Sequence, residues 1–362
     1  MSDYLAEILA EFDSRLPLAR ARTIPAPWYT SPEVAGAERD RIFSRNWLIV
    51  GLAEQVSKPG QFLTAEIAGM PLLVVRDQAG VLRAFFNVCR HRAALVMTEP
   101  CGHTTRLRCR YHGWTYDLAG QLRGTPEFDG VEDFHRDQNG LQELTVATWG
   151  PWVAVHAGQP KISFAEWLDP LPARAESGMA SLVFVNRREY TLQCNWKVYV
   201  DNYLDGGYHV NSIHPALAGM LDYTQYRIET FGRSSVQTSP LTTDGGSVRR
   251  GQAQYWYVFP NFMMNLYDGL MDTNTVLPLG PDRCRVIFDF YFATSGPPAD
   301  PTFREQSLAV ADRIQLEDLA ICEDVQRGLA SGAYKPGRYS VRREIAGHHF
   351  HCLLGQCLQA GV

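Results

Sequence analysis

Two short motifs place cysteine and histidine side chains where they can bind a metal. Cys89 and His91 form a Cys-x-His pair, and Cys109 and His112 form a Cys-x-x-His pair further along the chain. Two thiolates and two imidazoles on paired loops suit either a tetrahedral zinc ion or a two-iron, two-sulfur cluster in which histidines replace two cysteines on one iron. Zinc would stabilise the fold, whereas the cluster would carry electrons.

The residues around the second pair favour the cluster. Gly113 allows the backbone to approach the sulfur atoms, and Tyr111, Trp114 and Tyr116 are predicted to exclude water. The mixed spacing of the two pairs is not the usual spacing of a zinc finger. Residues 89–112 match the CxH and CxxH motif of Rieske iron–sulfur proteins, so this segment resembles a Rieske domain.

A second pair of histidines lies in the segment 195–215. His209 and His214 do not share one helical face, but residues 206–207 are both glycine and should interrupt the preceding helix. Pro215 disfavours helical backbone at His214, so the two imidazoles can converge from a helix end and the turn after it. Two histidines and one carboxylate, with positions left open, form the facial triad of non-heme iron oxygenases.

Helical phase predicts which carboxylate completes this triad. Residues 303–329 have the pattern of one amphipathic helix, in which Asp318 lies within an apolar stripe. At 100° per residue, the apolar residues within about 60° of Asp318 are Ile314, Ile321 and Val325, with Ala311 and Leu329 close to the same line. A buried carboxylate is costly without a partner, so we expect a cation beside Asp318. Glu317 falls on the solvated edge and is predicted to be a surface residue.

These motifs, in this order along the chain, resemble the catalytic alpha subunits of the Rieske non-heme iron oxygenases. The strings DNYLDGGYH, FPNFMMNLY, MDTNTVLPLGP, EDLAICEDVQRGL and HHFHCLL are similar to the choline monooxygenase-like branch of that family. The resemblance implies a homotrimer arranged head to tail, in which the cluster of one subunit faces the mononuclear iron of the next. A carboxylate would then bridge His112 of one chain and His209 of its neighbour.

Asp205 matches the bridging position. Family members often place this acid three residues before the first iron-binding histidine, whereas Asp205 lies four before His209 because Gly207 adds a residue. Asp201 and Asn202 are alternatives, and a helix cap is another role open to any of the three. Asp205 is predicted to be the catalytic acid that couples the centres, because metal-bound histidines commonly have a carboxylate partner.

The elements that must position these residues differ between the two halves of the chain. Residues 1–41 are predicted to form a helical arm that packs on the catalytic domain, with an extended, proline-rich stretch at 23–33. Residues 42–157 alternate as short strands with turn signals, which predicts an all-β Rieske domain with the metal loops at its tip. A Pro-, Gly- and Ala-rich linker occupies residues 156–178.

The segment 158–362 is predicted to be the catalytic domain that holds the mononuclear iron. Residues 181–194, 253–267 and 284–293 have strand patterns, and residues 195–205 and 303–329 have helical patterns. This combination predicts an α+β fold. The family resemblance implies a helix-grip-like domain with an antiparallel sheet.

The resemblance also implies the reaction and its partners. Electrons would reach the mononuclear iron singly through the Rieske cluster, and dioxygen would supply one oxygen atom for insertion into a C–H bond. The chain has no GxGxxG fingerprint after a strand and no appended ferredoxin segment. A separate flavin or iron–sulfur reductase, or a ferredoxin, should therefore deliver electrons from NAD(P)H.

The branch resemblance implies a quaternary or tertiary amine substrate, such as choline or a betaine. Aromatic faces could hold such a cation, and the candidate substrate-binding residues are Tyr203, Tyr208, Trp256, Tyr267, Leu266 and Leu270. A larger apolar pocket formed with the two leucines would instead favour an aromatic-ring or aromatic-acid hydroxylase. A third alternative, a zinc-stabilised binding module, would leave His209, His214 and Asp318 without a role.

Composition agrees with a globular enzyme. The chain has 362 residues, of which 45% are hydrophobic and 20% charged, and its net charge of −5 disfavours nucleic acid as a partner. It has no apolar run long enough to cross a membrane and no signal-peptide core, so we expect a cytoplasmic protein that does not bind membranes. The histidines at 348–351 are predicted to contribute to packing, and the six cysteines outside the motifs to be reduced.

Overall fold

The computed structural model describes residues 3–214, 221–241 and 249–360. The chain forms two compact units, of which one is Phe43–Phe164 and the other combines the residues up to Ile42 with those from Ala165 onward. The domain limits predicted at 42 and 158 stay predictions. Pro215, which we expected to act on His214, lies outside the described residues. Among the described helices, none is long and apolar enough to span a membrane.

The unit Phe43–Phe164 is built from β-strands, which confirms the predicted all-β Rieske module. Its strands are β1 (Leu48–Leu52), β2 (Gln61–Ile67), β3 (Met70–Arg76), β4 (Leu82–Phe86), β5 (Cys101–His103), β6 (Leu107–Arg108), β7 (Thr115–Tyr116), β8 (Leu122–Gly124), β9 (Glu143–Trp149) and β10 (Trp152–His156). One antiparallel sheet has the order β1-β10-β9-β4-β3-β2-β5, and β6-β7-β8 form a smaller sheet. Cys89 and Cys109 are buried in the same core cluster as Phe62, Leu73 and Phe85.

The other unit contains one long antiparallel sheet and most of the helices, which confirms the predicted α+β class. Its strands are β11 (Leu182–Leu192), β12 (Arg227–Thr230), β13 (Ser234–Pro240), β14 (Gln252–Val258), β15 (Phe262–Tyr267), β16 (Leu270–Pro278) and β17 (Cys284–Ala293). Their order in the sheet is β11-β17-β16-β15-β14-β13-β12.

The helices of the described residues include the two that were predicted at 195–205 and 303–329. They are α1 (Asp3–Ala10), α2 (Pro27–Thr30), α3 (Pro32–Arg41), α4 (Phe164–Leu168), α5 (Leu171–Met179), α6 (Trp196–Leu204), α7 (Val210–Ile213), α8 (Pro301–Ala330) and α9 (Ile345–Leu358). The long helix α8 begins where the Asp300 side chain accepts hydrogen bonds from the backbone N–H groups of Thr302 and Phe303. Both α8 and β16 pack against α6.

Two expectations about irregular segments were wrong. Residues 23–33 are not extended throughout, because Pro27 and Pro32 occupy the first positions of α2 and α3, where a missing N–H costs no hydrogen bond. The supposed linker at 156–178 contains α4 and α5, whose Trp167 and Leu171 are buried. Composition alone therefore suggested an extended stretch and a linker where a few buried apolar side chains fix short helices.

A buried ion pair attaches the N-terminal helices to α6. The Lys197 ammonium group lies 2.5 Å from Glu38 of α3, and the Trp196 indole N–H donates to the other oxygen of Glu38 at 2.8 Å. Both charged side chains are almost fully buried. Burial lowers the pKa of Lys197 although Glu38 lies beside it. This pair holds the helix whose far end leads into the His209 segment.

Replacing Lys197 by Met should lower the free energy of unfolding by about 3–5 kcal/mol, because Glu38 would keep a buried charge without its counterion. Replacing Glu38 by Gln as well should recover part of that loss. Denaturant unfolding followed by circular dichroism measures both variants. Arg15→Ala, which removes an exposed ion pair with Asp13, is the control and should leave the transition nearly unchanged. Equal effects of Lys197→Met and Arg15→Ala would contradict a structural role for the buried pair.

Candidate metal centres and substrate cavity

The two Cys/His loops share one backbone pattern. The N–H of Ala93 donates to the carbonyl of Cys89 at 3.0 Å, and the N–H of Gly113 donates to the carbonyl of Cys109 at 3.0 Å. Ala93 and Gly113, with φ of 59° and 73°, both adopt the left-handed conformation that closes such turns. The loops therefore present their cysteine and histidine side chains in the same way.

The four side chains form a pocket that is buried on the sulfur side and open on the imidazole side. Cys89 and Cys109 are 3% and 2% exposed. The Nδ1 atoms of His91 and His112 face each other at 3.1 Å. A tetrahedral metal with bonds of about 2.0–2.1 Å holds two nitrogens roughly 3.3 Å apart. The donor set and spacing thus fit one metal bound by both rings.

Aromatic side chains surround this pocket, although one lies on the surface. The Trp114 ring is buried and stacks on His91 with centroids 4.8 Å apart. The Tyr116 hydroxyl lies 3.4 Å from the Cys89 sulfur and accepts a hydrogen bond from the N–H of Arg90. Tyr111 is 59% exposed, and its ring covers His112 with the ring centroids 3.7 Å apart. Its part in excluding water from the cluster stays a prediction.

His209 and His214 flank the short helix α7. The chain leaves α6 through Gly206 and Gly207, whose φ values are 72° and 67°. A Cβ on Gly206 would lie 2.0 Å from the carbonyl oxygen of Arg343, so only glycine fits there. His214 has non-helical backbone after α7, as expected. The turn brings the two imidazole rings to a centroid separation of 5.0 Å.

The structure brings all three predicted triad residues together. Ligand atoms of His209, His214 and Asp318 lie within 4.8 Å of one another. The Asp318 Oδ1 atom is 3.0 Å from Nε2 of His214 and 3.6 Å from Nε2 of His209. The side chain of His214 is 2% exposed and that of Asp318 14% exposed. Two imidazoles and a carboxylate around one point form a donor set suited to a non-heme iron.

Carboxylates hold the opposite nitrogen of each ring. Asp205 Oδ2 lies 2.5 Å from Nδ1 of His209, and Glu317 Oε2 lies 2.6 Å from Nδ1 of His214. Each Nε2 is thereby left to face Asp318. Burial alone would lower the pKa of His214, but its hydrogen bonds to Asp318 and Glu317 raise it. The prediction that Glu317 is merely a solvated surface residue was wrong, since it orients His214.

The helical phase explains this error. The buried residues of α8 include Gln315, Cys322 and Gln326, whereas Val325 is 44% exposed. The buried face therefore overlaps the predicted stripe at Ala311 and Leu329 but also contains polar side chains. By helical spacing Asp318 falls within this face, and Glu317 reaches His214 from beside it. Hydrophobic periodicity predicts which face is buried but does not identify a single polar contact such as that of Glu317 with His214.

The alternatives to Asp205 make other contacts. Asp201 accepts hydrogen bonds from the Tyr29 hydroxyl at 2.6 Å and from Nε2 of His351 at 2.8 Å. Asn202 donates to Asp318 Oδ1 at 2.7 Å. Asp205 also ends α6 and accepts from the N–H of His209. Among these three residues, Asp205 therefore contacts a predicted iron-binding histidine.

A cavity of about 110 Å³ opens on the triad. Its walls include the side chains of Tyr199, Tyr203, Tyr226, Gln237, Arg249, Tyr255, Asn265, Tyr267, Asp272, Asn274, Phe288, Ile314 and Gln315. Tyr203 and Tyr267 were predicted. The other predicted substrate residues do not line it: Tyr208 is exposed, and Trp256, Leu266 and Leu270 are buried elsewhere.

Strand alternation accounts for the missed residues. Tyr255, Asn265 and Asp272 occupy paired positions on β14, β15 and β16 and so share one face of the sheet. Trp256, next to Tyr255, points to the other face. The sequence shows the alternation in these strands but does not show which face carries the cavity. Polar side chains at alternate positions of these otherwise apolar strands were the sequence feature that could have identified the face with the cavity.

Two family models match the chain. The Rieske [2Fe-2S] domain model covers residues 46–135, and the model of the ring hydroxylating alpha subunit catalytic domain covers residues 179–360. The first contains all four residues of the Cys/His pocket. The second contains the triad and the cavity.

Curated relatives and solved structures match nearly the whole chain. It is 40% identical to a chloroplastic choline monooxygenase of Arabidopsis thaliana over 97% of this chain and 86% of the relative. It is 30% identical to a glycine betaine monooxygenase oxygenase subunit of Chromohalobacter salexigens, over 89% of this chain and 83% of the relative. A solved quaternary ammonium Rieske monooxygenase matches with a TM-score of 0.84 and 25% identity, covering 96% of this chain and 100% of that one.

Asp318→Ala should remove the mononuclear iron and keep the cluster, because the triad would lose its only carboxylate. Glu317→Gln should weaken iron binding roughly 10–100-fold without changing the cluster, because His214 would lose an orienting charge. Iron and sulfide analysis with electron paramagnetic resonance measures both centres. Asp324→Ala removes an exposed acid of the same helix and should retain them. Full iron content in Asp318→Ala would contradict the triad.

Proposed function

The chain belongs to the Rieske non-heme iron oxygenases of the choline monooxygenase-like branch, and we propose that it hydroxylates a small quaternary or tertiary amine. Choline and betaines are the substrates with which we would begin, and the outcome would be monooxygenation or N-demethylation. The observation that carries this proposal is a cavity in which the triad meets a wall of tyrosines, asparagines, the buried carboxylate of Asp272 and the buried guanidinium group of Arg249. The tyrosine faces and the carboxylate suit a methylated cation better than a neutral aromatic ring.

The donor sets support an assignment of residues to the two centres that the family uses. Cys89, His91, Cys109 and His112 would hold the [2Fe–2S] cluster. The triad of His209, His214 and Asp318 would hold the mononuclear iron. When bound, these centres supply one-electron transfer and the reduction of dioxygen for insertion of oxygen into a C–H bond.

The surrounding residues of the chain orient the ligands and exclude water. Asp205 and Glu317 fix the rings of His209 and His214, and Asn202 fixes the carboxylate of Asp318. Phe288 and Ile314 add apolar surface to the cavity. The Tyr203 hydroxyl donates to the carbonyl of Trp256 and to Oδ1 of Asn265, and these hydrogen bonds hold its ring in the wall of the cavity.

The assembly and its electron supply are part of the proposal. We infer a homotrimer arranged head to tail, in which Asp205 of one subunit connects to His112 of the next. A solved relative is described in terms of inter-subunit electron transfer, and the 19% exposure of the Asp205 side chain is compatible with such a contact. Relatives described as oxygenase subunits support a separate reductase that draws on NAD(P)H.

A cytoplasmic location stays a prediction, since several choline monooxygenase relatives are described as chloroplastic. An aromatic hydroxylase was favoured by an apolar pocket with Leu266 and Leu270. Neither leucine lines the cavity, so the two leucines do not form the apolar pocket that would favour an aromatic hydroxylase.

Purified protein with a generic reductase should consume dioxygen in the presence of choline, betaines or related methylated amines, with formation of an aldehyde or formaldehyde. Dioxygen uptake and product analysis by mass spectrometry measure the reaction. Aromatic acids tested in parallel should give no product. Product from aromatic acids alone would contradict the amine substrate and leave the metal assignments intact, because the cavity determines the substrate and the ligands determine the chemistry.

Asp205→Asn should keep both metal centres and lose most turnover, because the amide cannot hold the His209 imidazole as the carboxylate does. Turnover of the best substrate, with iron and sulfide content, distinguishes loss of coupling from loss of metal. Asp201→Asn is the matched control, since Asp201 contacts Tyr29 and His351 and does not contact His209. Normal turnover in Asp205→Asn would remove Asp205 from the electron path.

A further inference from the structure

Asp272 is a buried carboxylate for which the metal chemistry has no use. It lies on β16, is 4% exposed and lines the cavity that opens on the triad. The side-chain amide of Asn265 donates a hydrogen bond to it at 2.6 Å. The Asn265 amide is neutral and Arg249 acts on Asp272 through its charge without a hydrogen bond between them, so a ligand cation in contact with the carboxylate would stabilise it further.

The neighbours of Asp272 form a cradle of aromatic rings. Tyr255 and Tyr267 lie on the adjoining strands with ring centroids 6.0 Å apart, edge to face. The Tyr255 hydroxyl is buried, and the side-chain group that interacts with it is the hydroxyl of Tyr267. On the helical side of the cavity, the amide nitrogen of Gln315 is buried without a hydrogen-bond partner among the described residues. An unpaired amide nitrogen and a weakly paired hydroxyl in one cavity point to a polar ligand that completes them.

We propose that Asp272 is the anionic subsite that binds the methylated ammonium group of the substrate, with the rings of Tyr255 and Tyr267 beside it. This inference rests on the proposed function and adds the residue that selects for charge. The cation would sit against the sheet, and a polar group of the substrate would reach Tyr255 or Gln315. Selection by a full charge is stronger than selection by aromatic faces alone, because neutral molecules of the same shape gain nothing from Asp272.

Arg249 offers the competing explanation. Its guanidinium group lies 5.0 Å over the Tyr267 ring and lines the same cavity, so Asp272 could serve only as a counterion for Arg249. In that case substitution of Asp272 would disturb the cavity for every ligand alike. A charged ligand and its neutral isostere therefore separate the two explanations.

The test uses the holoenzyme, choline, and the neutral alcohol in which a tert-butyl group replaces the trimethylammonium group. Anaerobic titration calorimetry measures the dissociation constants. Asp272→Asn should weaken choline binding by roughly tenfold to a hundredfold and leave binding of the neutral alcohol unchanged. The amide retains the size of the carboxylate. Asp77→Asn, a buried acid in the Rieske unit, is the control and should not affect either ligand.

The pH dependence gives a second readout. Burial raises the pKa of Asp272 to about 6, although Arg249 and Asn265 oppose the rise. The wild-type protein should therefore bind choline more tightly as the pH rises through about 6, where Asp272 becomes ionised, and Asp272→Asn should lack this change. The other titratable groups that face Asp272 are Tyr199, Tyr203, Arg249, Tyr255 and Tyr267, all with raised pKa values. The predicted ligands His209, His214 and Asp318 also line the cavity. They are present in both proteins, so their titration does not distinguish the wild type from Asp272→Asn. Iron content is measured at each pH to detect any loss of metal.

Unchanged choline binding in Asp272→Asn, or an equal loss of both ligands, would overturn the subsite. Absence of methylated-amine binding and turnover in the wild-type protein would instead contradict the proposed function itself. Turnover of an amine by the wild-type protein, combined with unchanged binding in Asp272→Asn, would keep the function and reject only the role of Asp272.

Discussion

The hydrogen bonds between carboxylates and imidazoles are the constraint on which the catalytic unit depends. An imidazole has two nitrogens and can present either of them, so a histidine becomes a defined ligand only when one nitrogen is already engaged. Asp205 engages Nδ1 of His209, and Glu317 engages Nδ1 of His214. Glu317 and Asp318 are consecutive residues of α8 and contact opposite nitrogens of the same ring. The position of one helix therefore decides both the tautomer of His214 and which carboxylate faces the Nε2 atoms of the two histidines.

The helix pair α6 and α8 can serve this purpose because polar contacts join the two helices. Asn202 donates to Asp318, the Tyr199 hydroxyl donates to Gln315, and the backbone N–H at the start of α6 donates to Gln326. Hydrogen bonds fix the rotation and translation of one helix against another more strictly than apolar contacts do, because they depend on direction as well as distance. Buried polar side chains on α8 thus contribute accuracy at the site as well as stability.

Sequence reasoning predicted candidate metal-binding residues from their types and spacing, and the structure brings His209, His214 and Asp318 together. It located α6 and α8 within two residues at each end, although the predicted apolar stripe of α8 included the exposed Val325. Glu317 was missed because apolar periodicity describes the burial of a face and contains no information about a single partner such as His214. The cavity wall was missed for a related reason. Tyr255 and Trp256 have equally suitable side chains, and only the sheet register decides which of them faces the triad.

The Cys/His pocket is buried on its cysteine side and exposed on its histidine side, and the exposed side could take part in the proposed bridge. The cysteines are buried in the core, whereas His112 is exposed and turns Nδ1 inward toward His91. When Nδ1 is a metal ligand, the outward Nε2–H is a hydrogen-bond donor. Asp205 already accepts from His209 and from the N–H of Tyr208, but a carboxylate has lone pairs for further donors. The Nε2–H group of His112 on one copy is therefore complementary to the Asp205 carboxylate, a partly satisfied acceptor, on another copy. A bridge between two copies would therefore connect the centres through two imidazoles and one carboxylate.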